Sequence, residues 1–320
     1  MKIHEYIKDH QGEPFISFEL IPPKRGARYR DIEERIEILS RFNPPFIDVT
    51  THASEIIYQE SKSGIKKLFK KKRPGTHGIC AIIQHKFGIE AVPHILCRGF
   101  TREETEDLCI DLHYLGINNV LAVQGDERGY EPPYVNGGHN RYANELVSQI
   151  NNLKEGIYLD EDSLNEETFD FCIGVGAYPE KHYEAPNMEY DLQFLKQKID
   201  AGACYMVTQM FYDNQAFKSF VKQASDFGIN APIIPGLKVF TSKKQLNSLP
   251  KIFHINIPPE LTKRTMKAND SNILDIGIKW AVEQCKDLLE FGVPGIHFYV
   301  LENASVVAKV IDQLKDKKLI

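Results

Sequence analysis

Long apolar runs are missing from this sequence. No stretch reaches the ~18 consecutive apolar residues that a membrane-crossing helix needs, so no membrane partner is expected. The opening residues, MKIHEYIKDHQGEP, lack the apolar centre of a secretory signal. Cysteine is sparse. Six are scattered over 320 residues (Cys80, Cys97, Cys109, Cys172, Cys204 and Cys285), with no C-x-x-C pair. That argues against a disulfide framework or a clustered metal site, and for a reduced cytoplasmic compartment. Most of them sit in apolar runs and read as small buried hydrophobes. A basic excess is also missing: 39 Lys and Arg face 44 Asp and Glu, for a net charge of −5. Nucleic-acid surfaces are usually basic, so no nucleic-acid partner is expected. H-E-x-x-H, G-x-S-x-G and P-loop motifs do not occur, which leaves zinc-protease, hydrolase and NTPase readings without their signatures.

What is present is alternation. Hydrophobic residues make up 42% and charged residues 26%, a globular composition, and the length suits one large domain or two ordinary ones. Short β-branched and aromatic runs recur at 15–22, 46–51, 90–96, 119–126, 171–178, 204–212, 232–237 and 295–301. Amphipathic stretches read as helices at 30–41, 54–71, 101–115, 188–201, 214–227, 271–291 and 304–317. Thr101 with Glu104 three residues on forms a capping-box signature. Gly116, Gly202, Gly228 and Gly292 follow helical stretches as C-terminal glycines. Strands that alternate with helices imply a parallel sheet, and eight such units can close into a (β/α)₈ TIM barrel. The chain thus reads as one barrel domain over 1–320, with an N-terminal extension and a βα-loop insertion at 127–141. An open doubly wound sheet is the other architecture. It announces itself by G-x-G-x-x-G after the first strand, whereas here Pro22-Pro23-Lys24 follows, and Gly174-Val175-Gly176 lacks the third glycine. The basic run at 66–73 reads as the solvated end of the 54–71 helix, where cations suit the dipole.

Barrel enzymes work at the C-terminal ends of their strands, so polar residues within apolar strands are informative. Phe15, Ser17 and Glu19 share one strand face, and Ile16, Phe18 and Leu20 the other. The apolar set suits the surrounding helices, which points Glu19 into the barrel mouth. There it is either a general acid, its pKa raised by apolar surroundings, or one half of a buried ion pair with a lysine. Ala122, Gln124 and Asp126 share a face of the fourth run. Asp126 either pairs with a ligand ring or opens an Asx turn. Tyr205, Val207, Gln209 and Phe211 share a face of the sixth. The Gln209 amide suits either a planar heterocycle or a satisfied core position. Thr50, His94, Tyr178 and His297 are further polar strand residues.

The ordered set Ser17-Phe18-Glu19, Pro22-Pro23, Val49-Thr50, Pro93-His94, Gln124-Gly125-Asp126, Ala177-Tyr178-Pro179-Glu180, Asp200-Ala201-Gly202-Ala203, Thr208-Gln209, Ile234-Pro235-Gly236 and His297-Phe298-Tyr299 resembles the methylenetetrahydrofolate reductase family, over about residues 15–305. The chain looks like its short bacterial type, limited to the catalytic domain. The resemblance implies a barrel that binds FAD, is reduced by NADH or NADPH, and in a ping-pong scheme converts 5,10-methylenetetrahydrofolate to 5-methyltetrahydrofolate for methionine synthesis. It implies catalytic roles for Glu19 (general acid), Asp126 (stabilising a cationic intermediate) and Gln209 (contacting folate or nicotinamide). It implies flavin contacts at Thr50, His94, Gly125, Asp126, Tyr178, His182, Asp191 and Lys198, substrate contacts at Gln209, Gln245 and Leu301, and a homo-oligomer. Three places depart from the family pattern, one of them Thr51-His52-Ala53, where the family often has Tyr-Gly-Ala after the threonine. Gln124 stands where an arginine meets flavin phosphate, a contact worth ~1.5–3 kcal/mol. Asn303 stands where another arginine meets substrate. A related barrel with altered ligands, and a silent binding barrel, are the competing readings.

Overall fold

Residues 1–61, 64–73, 75–125, 138–160, 167–301 and 303–320 are described by the structure, a computed structural model. The chain opens with a short helix, α1 (Ile3–Asp9), ahead of β1 (Phe15–Leu20) and α2 (Tyr29–Ser40). There follow β2 (Phe46–Val49), β3 (Glu55–Ser61), β4 (Gly64–Lys70), α3 (Thr76–Phe87), β5 (Glu90–Leu96), α4 (Arg102–Tyr114), β6 (Asn119–Val123) and α5 (Ala143–Lys154). The second half continues with β7 (Cys172–Ala177), α6 (Met188–Asp200), β8 (Tyr205–Thr208), α7 (Asn214–Asp226), β9 (Ile233–Ile234) and β10 (Gly236–Leu237). It ends with α8 (Gln245–Phe253), α9 (Pro259–Lys267), α10 (Ile273–Phe291), β11 (Gly295–Leu301) and α11 (Ala304–Asp316).

Nine parallel segments form one sheet in the order β10-β11-β1-β2-β5-β6-β7-β8-β9. Its two end segments, β9 and β10, are halves of the seventh strand, so the sheet curls into the expected (β/α)₈ barrel. Pro235 divides them, because it has no N–H to give the ladder. The first half pairs with β8 and the second with β11. Beyond the break, the Gly236 N–H donates to Thr208 Oγ1 at 2.9 Å. A Cβ at Gly236 would lie 2.2 Å from the Thr208 carbonyl oxygen, so only glycine fits this approach.

The alternation read from the first strand is what the barrel uses. Ile16, Phe18 and Leu20 pack outward with Ile32, Ile36 and Leu39 of α2 in the large core between strands and helices. Phe15 faces inward with Phe46, Val92, Leu121, Cys172, Tyr205, Val207 and Ile234. Ile3 and Ile7 of α1 close this inner layer at the N-terminal end of the strands. The helix is tied there by the Ile3 N–H, which donates to Asn119 Oδ1 at 3.0 Å. In α4 the Thr101 hydroxyl accepts from the Glu104 N–H at 3.1 Å, and the Glu104 carboxylate accepts from the Thr101 N–H at 2.8 Å, completing the capping box.

Residues 54–71 are not a helix. They form an antiparallel hairpin, with Glu55 opposite Lys70 and Ser61 opposite Gly64. The Ser61-Lys62-Ser63-Gly64 sequence between two β-branched runs is the turn signal that outweighs the helical spacing, and Gly64 has φ +117°. The basic run at 66–73 therefore lies along β4 and its exit and not at a helix C-terminus. Arg73 donates to the Pro22 carbonyl, and the Arg25 N–H to the Lys72 carbonyl at 2.8 Å. These bonds dock the hairpin on the loop after β1. Most of the 127–141 insertion, and Asp126 with it, lies outside the described residues. No helix among the described residues is long and apolar enough to cross a membrane.

Candidate active site

Above the apolar inner layer the barrel turns polar. Ser17 (β1), Asp48 (β2), His94 (β5) and His297 (β11) are all buried. Ser17 Oγ lies 2.9 Å from His297 Nδ1. Burial holds His297 down at about 4, against the pull of Asp48 toward higher values, so the ring is neutral near pH 7. His94 Nε2 lies 3.5 Å from a carboxylate oxygen of Glu19 and 3.5 Å from one of Asp48. Glu19 is thus in the mouth, as its strand face requires, with its side chain only 9% exposed.

Beside it stands Lys238, the first residue after β10. Burial lowers its pKa while the charge of Glu19 raises it. The ion pair weighed for Glu19 is present as an electrostatic attraction. Lys238 and Tyr299 line a cavity of about 290 Å³ with Ile21, Thr241, Leu301 and Asn303. The Tyr299 hydroxyl donates to the Thr208 carbonyl at 2.6 Å. Burial first, then the charges of Glu19 and Asp48, push its phenol well up, so it stays protonated. Leu301, the last residue of β11, has φ +56°. For a side chain branched at Cγ this costs ~1–3 kcal/mol. It coincides with the register shift between Glu19 and Leu20 on the neighbouring strand. The wall of the cavity is therefore held in a strained conformation.

A second group gathers where β5, β6 and β7 end. Lys198 of α6 is buried, and its ammonium donates to the Gly176 carbonyl at 3.2 Å. Burial lowers its pKa and Asp191 opposes that. Asp191 accepts from the His182 N–H at 2.8 Å, and burial raises its own pKa. The His182 ring meets Tyr178 edge-on at 4.6 Å and is held neutral, at about 4, chiefly by burial. Arg98, two residues past β5, reaches the Gly125 carbonyl at 3.4 Å and Glu184 at 3.3 Å. Gln124 donates to the same Glu184 at 3.5 Å. Tyr178 and Glu19 both raise the Tyr299 pKa, which links the two groups electrostatically. This second group combines the Lys198 and Arg98 cations, an aromatic ring and a glycine at φ +90°, and it fits a phosphate-bearing, planar cofactor.

The remaining expected residues sit as follows. The Thr50 hydroxyl is 3.2 Å from His52 Nε2, and its carbonyl accepts from Thr76 at 3.0 Å. Gln209 follows β8 on the inward parity of Tyr205 and Val207 and borders a cleft with Tyr178 and Glu180. Its Oε1 accepts from the Met210 N–H at 2.9 Å. Phe211, expected on the same face, packs outward on Phe217 because β8 has ended. Ala122 likewise points to the helices, and Gln124 reaches the rim only because β6 stops at Val123. Gln245 is drawn into its own loop, where its Oε1 accepts from the Thr241 N–H at 2.6 Å. Asn303 caps no helix N–H with its side chain; its Oδ1 accepts from Ser305 at 2.8 Å. Asp48, Arg98 and Lys238 escaped the sequence reading. The signal for Asp48 was a charge between Ile47 and Val49 in an otherwise apolar strand. Lys238 and Arg98 stand just beyond strand ends, where no periodicity marks them.

The model of the methylenetetrahydrofolate reductase family matches residues 2–315. The chain belongs to that family. A 5,10-methylenetetrahydrofolate reductase of Pectobacterium carotovorum subsp. carotovorum is 31% identical over 308 residues, covering 95% of this chain and 91% of that one. Methylenetetrahydrofolate reductase (NADH) 1 of Arabidopsis thaliana is 31% identical over 315 residues, 94% of this chain but 48% of the plant protein. Among solved structures, an uncharacterized protein from Clostridium thermocellum that binds two copies of 5-methyl-5,6,7,8-tetrahydrofolic acid superposes with a TM-score of 0.60. It does so at 14% identity, over 99% of both chains, which shows the shared barrel.

Proposed function

We propose that the chain is a reductase of 5,10-methylenetetrahydrofolate, producing 5-methyltetrahydrofolate with electrons from NADH or NADPH passed through FAD. The observation that carries this reading is Glu19, a buried carboxyl at the C-terminal end of the first strand of a family barrel, 3.5 Å from His94. Bound FAD would supply the relay for hydride between nicotinamide and folate. Lys198 and Arg98 would neutralise its phosphates, with Tyr178, His182 and Gly125 shaping the surface around them. Gln209 presents an amide to whichever planar ligand occupies the mouth. Glu19 gives its proton to the bridge nitrogen whose bond to the methylene carbon breaks, leaving a 5-iminium cation ready for hydride. Lys238 and His94 hold the Glu19 carboxyl in place, and the apolar wall around Leu301 excludes water. Asp126 is assigned to stabilising that cation. Net uptake is one hydride and one proton per folate. One mouth used by two planar ligands in turn matches a ping-pong order. The expected setting is the cytoplasm, with methyl groups passing to methionine synthesis, and a homo-oligomeric enzyme.

The test is an anaerobic visible spectrum of the purified, FAD-supplied protein. Bleaching with NADH or NADPH, then recolouring on addition of methylenetetrahydrofolate, is expected. A protein that takes up no flavin, or one that bleaches but is never recoloured by the folate, overturns the assignment.

A further inference from the structure

At the end of the barrel opposite the mouth, three metal-ligating side chains meet. His4 lies on α1, Cys172 opens β7, and Cys204 immediately precedes β8. Their ligating atoms all lie within 4.8 Å of one another, and His4 Nδ1 is 3.2 Å from Cys172 Sγ. Zinc–sulfur bonds of ~2.3 Å and zinc–nitrogen bonds of ~2.0 Å in a tetrahedron set neighbouring donors ~3.5–3.8 Å apart. Side-chain rotation alone spans the difference. The grouping is a product of the fold. Residues 168 apart in sequence are joined because α1 crosses the bottom of the barrel, and the Cys204 N–H donates to the Ile173 carbonyl at 2.7 Å, which sets the two cysteines on adjacent strands.

The surroundings suit a cation held by thiolates. Cys172 is buried, while His4 and Cys204 are partly exposed and open a way in. Lys154 is paired with Asp170 at 3.1 Å, which offsets its charge. Two thiolates and a neutral imidazole around a divalent ion sum to no net charge, which removes most of the burial penalty.

We propose that His4, Cys172 and Cys204 form a mononuclear site for a thiophilic divalent cation of the zinc type, with water as fourth ligand, that pins α1 across the bottom of the barrel. Its role is structural: α1 carries Ile3 and Ile7 into the inner core, and the metal fastens that plug to two strands. The site is independent of the chemistry proposed at the mouth.

The test uses the full chain, stripped by chelator under reducing, anaerobic conditions and titrated with Co²⁺ and then Zn²⁺. One equivalent of Co²⁺ is expected to give thiolate charge-transfer absorption and intense tetrahedral visible bands, which one equivalent of Zn²⁺ abolishes while the melting temperature rises. Cys204→Ser removes much of the charge-transfer band and weakens binding at least ~100-fold, beyond what outer-shell changes do. His4→Gln, at a partly exposed position on the plug, keeps both thiols and weakens binding at least tenfold with the circular-dichroism spectrum unchanged. Wild-type protein that gives no thiolate band overturns the proposal. Binding unaffected by both variants does so too, as does a mass two hydrogens short that places Cys172 and Cys204 in a disulfide.

Discussion

Replacing Glu19 by glutamine changes one thing at the mouth of the barrel: the shape persists and the transferable proton goes. The side chain is 9% exposed, His94 Nε2 lies 3.5 Å from it, and its charge acts on Lys238. The amide retains an acceptor toward His94. Without the carboxylate, which raises the Lys238 pKa, that lysine falls further below its ordinary value. A pair 3.5 Å apart is loose, so the cost in folding stability stays near ~1 kcal/mol. The kinetic cost is larger. A positioned general acid contributes ~10²–10⁴-fold, which corresponds to ~3–5 kcal/mol of barrier. The loss should fall on one half-reaction only, because hydride transfer from nicotinamide to flavin needs no proton from Glu19. Stopped-flow absorbance separates the two: reduction by NAD(P)H within about threefold of wild type, reoxidation by methylenetetrahydrofolate slower by ~10²-fold or more. Equal loss of both half-reactions, or reoxidation at the wild-type rate, would refute the acid role.

Lys198→Met keeps the buried aliphatic stem and removes the charge. FAD affinity should fall ~10–150-fold, the worth of a charge-assisted hydrogen bond, as read by flavin fluorescence; an unchanged Kd excludes Lys198 from the phosphate site. Gly277→Ala places a methyl 1.7 Å from the Phe240 carbonyl oxygen, so α10 must move. A loss of about 3 kcal/mol is expected in urea unfolding, and a wild-type midpoint would contradict the packing of α10. His297, held at about 4 by burial, lies below its unfolded value of ~6.5, so only the unfolded state binds a proton between the two. The stability this contributes is full above pH ~6.5 and is lost as pH falls toward 4, by about 3 kcal/mol. Urea midpoints from pH 7 to 4 should fall less steeply in His297→Gln, and parallel profiles would count against the assignment.

Strands were legible because burial on one or both sides imposes period 2, and Glu19 was legible as a charge on the inward face of β1; the faces read through Gln124 and Phe211 were not, because β6 stops at Val123 and β8 at Thr208. Helices with caps or terminal glycines, such as α4 and α10, were legible for the same local reasons. The hairpin β3–β4 was not, since Ile56, Ile57, Ile65 and Leu68 satisfy a helical spacing as well as an alternating one. Its docking to Pro22 and Arg25 is tertiary. α1 and α3 escaped because a seven-residue helix, and one whose apolar residues 79–83 run together, carry little periodic signal. The site was legible as a set of strand-end residues, but its grouping was not. That His94 stands between two carboxylates, or that Arg98 approaches Gly125, depends on which strands are neighbours.

The break at Pro235 divides the barrel mechanically. Lys238 and the cavity wall inherit their position from β11, whereas Gln209 inherits its position from β8. Across the seam the two sides are joined by the chain itself, by the Gly236–Thr208 bond and by the Tyr299–Thr208 bond. A displacement of Gln209 by an arriving ligand therefore reaches Lys238 through two side-chain hydroxyls and not through a continuous ladder. If the proposed flat ligand displaces Gln209, β8 is expected to shift while β1, which bears Glu19, keeps its register with β11.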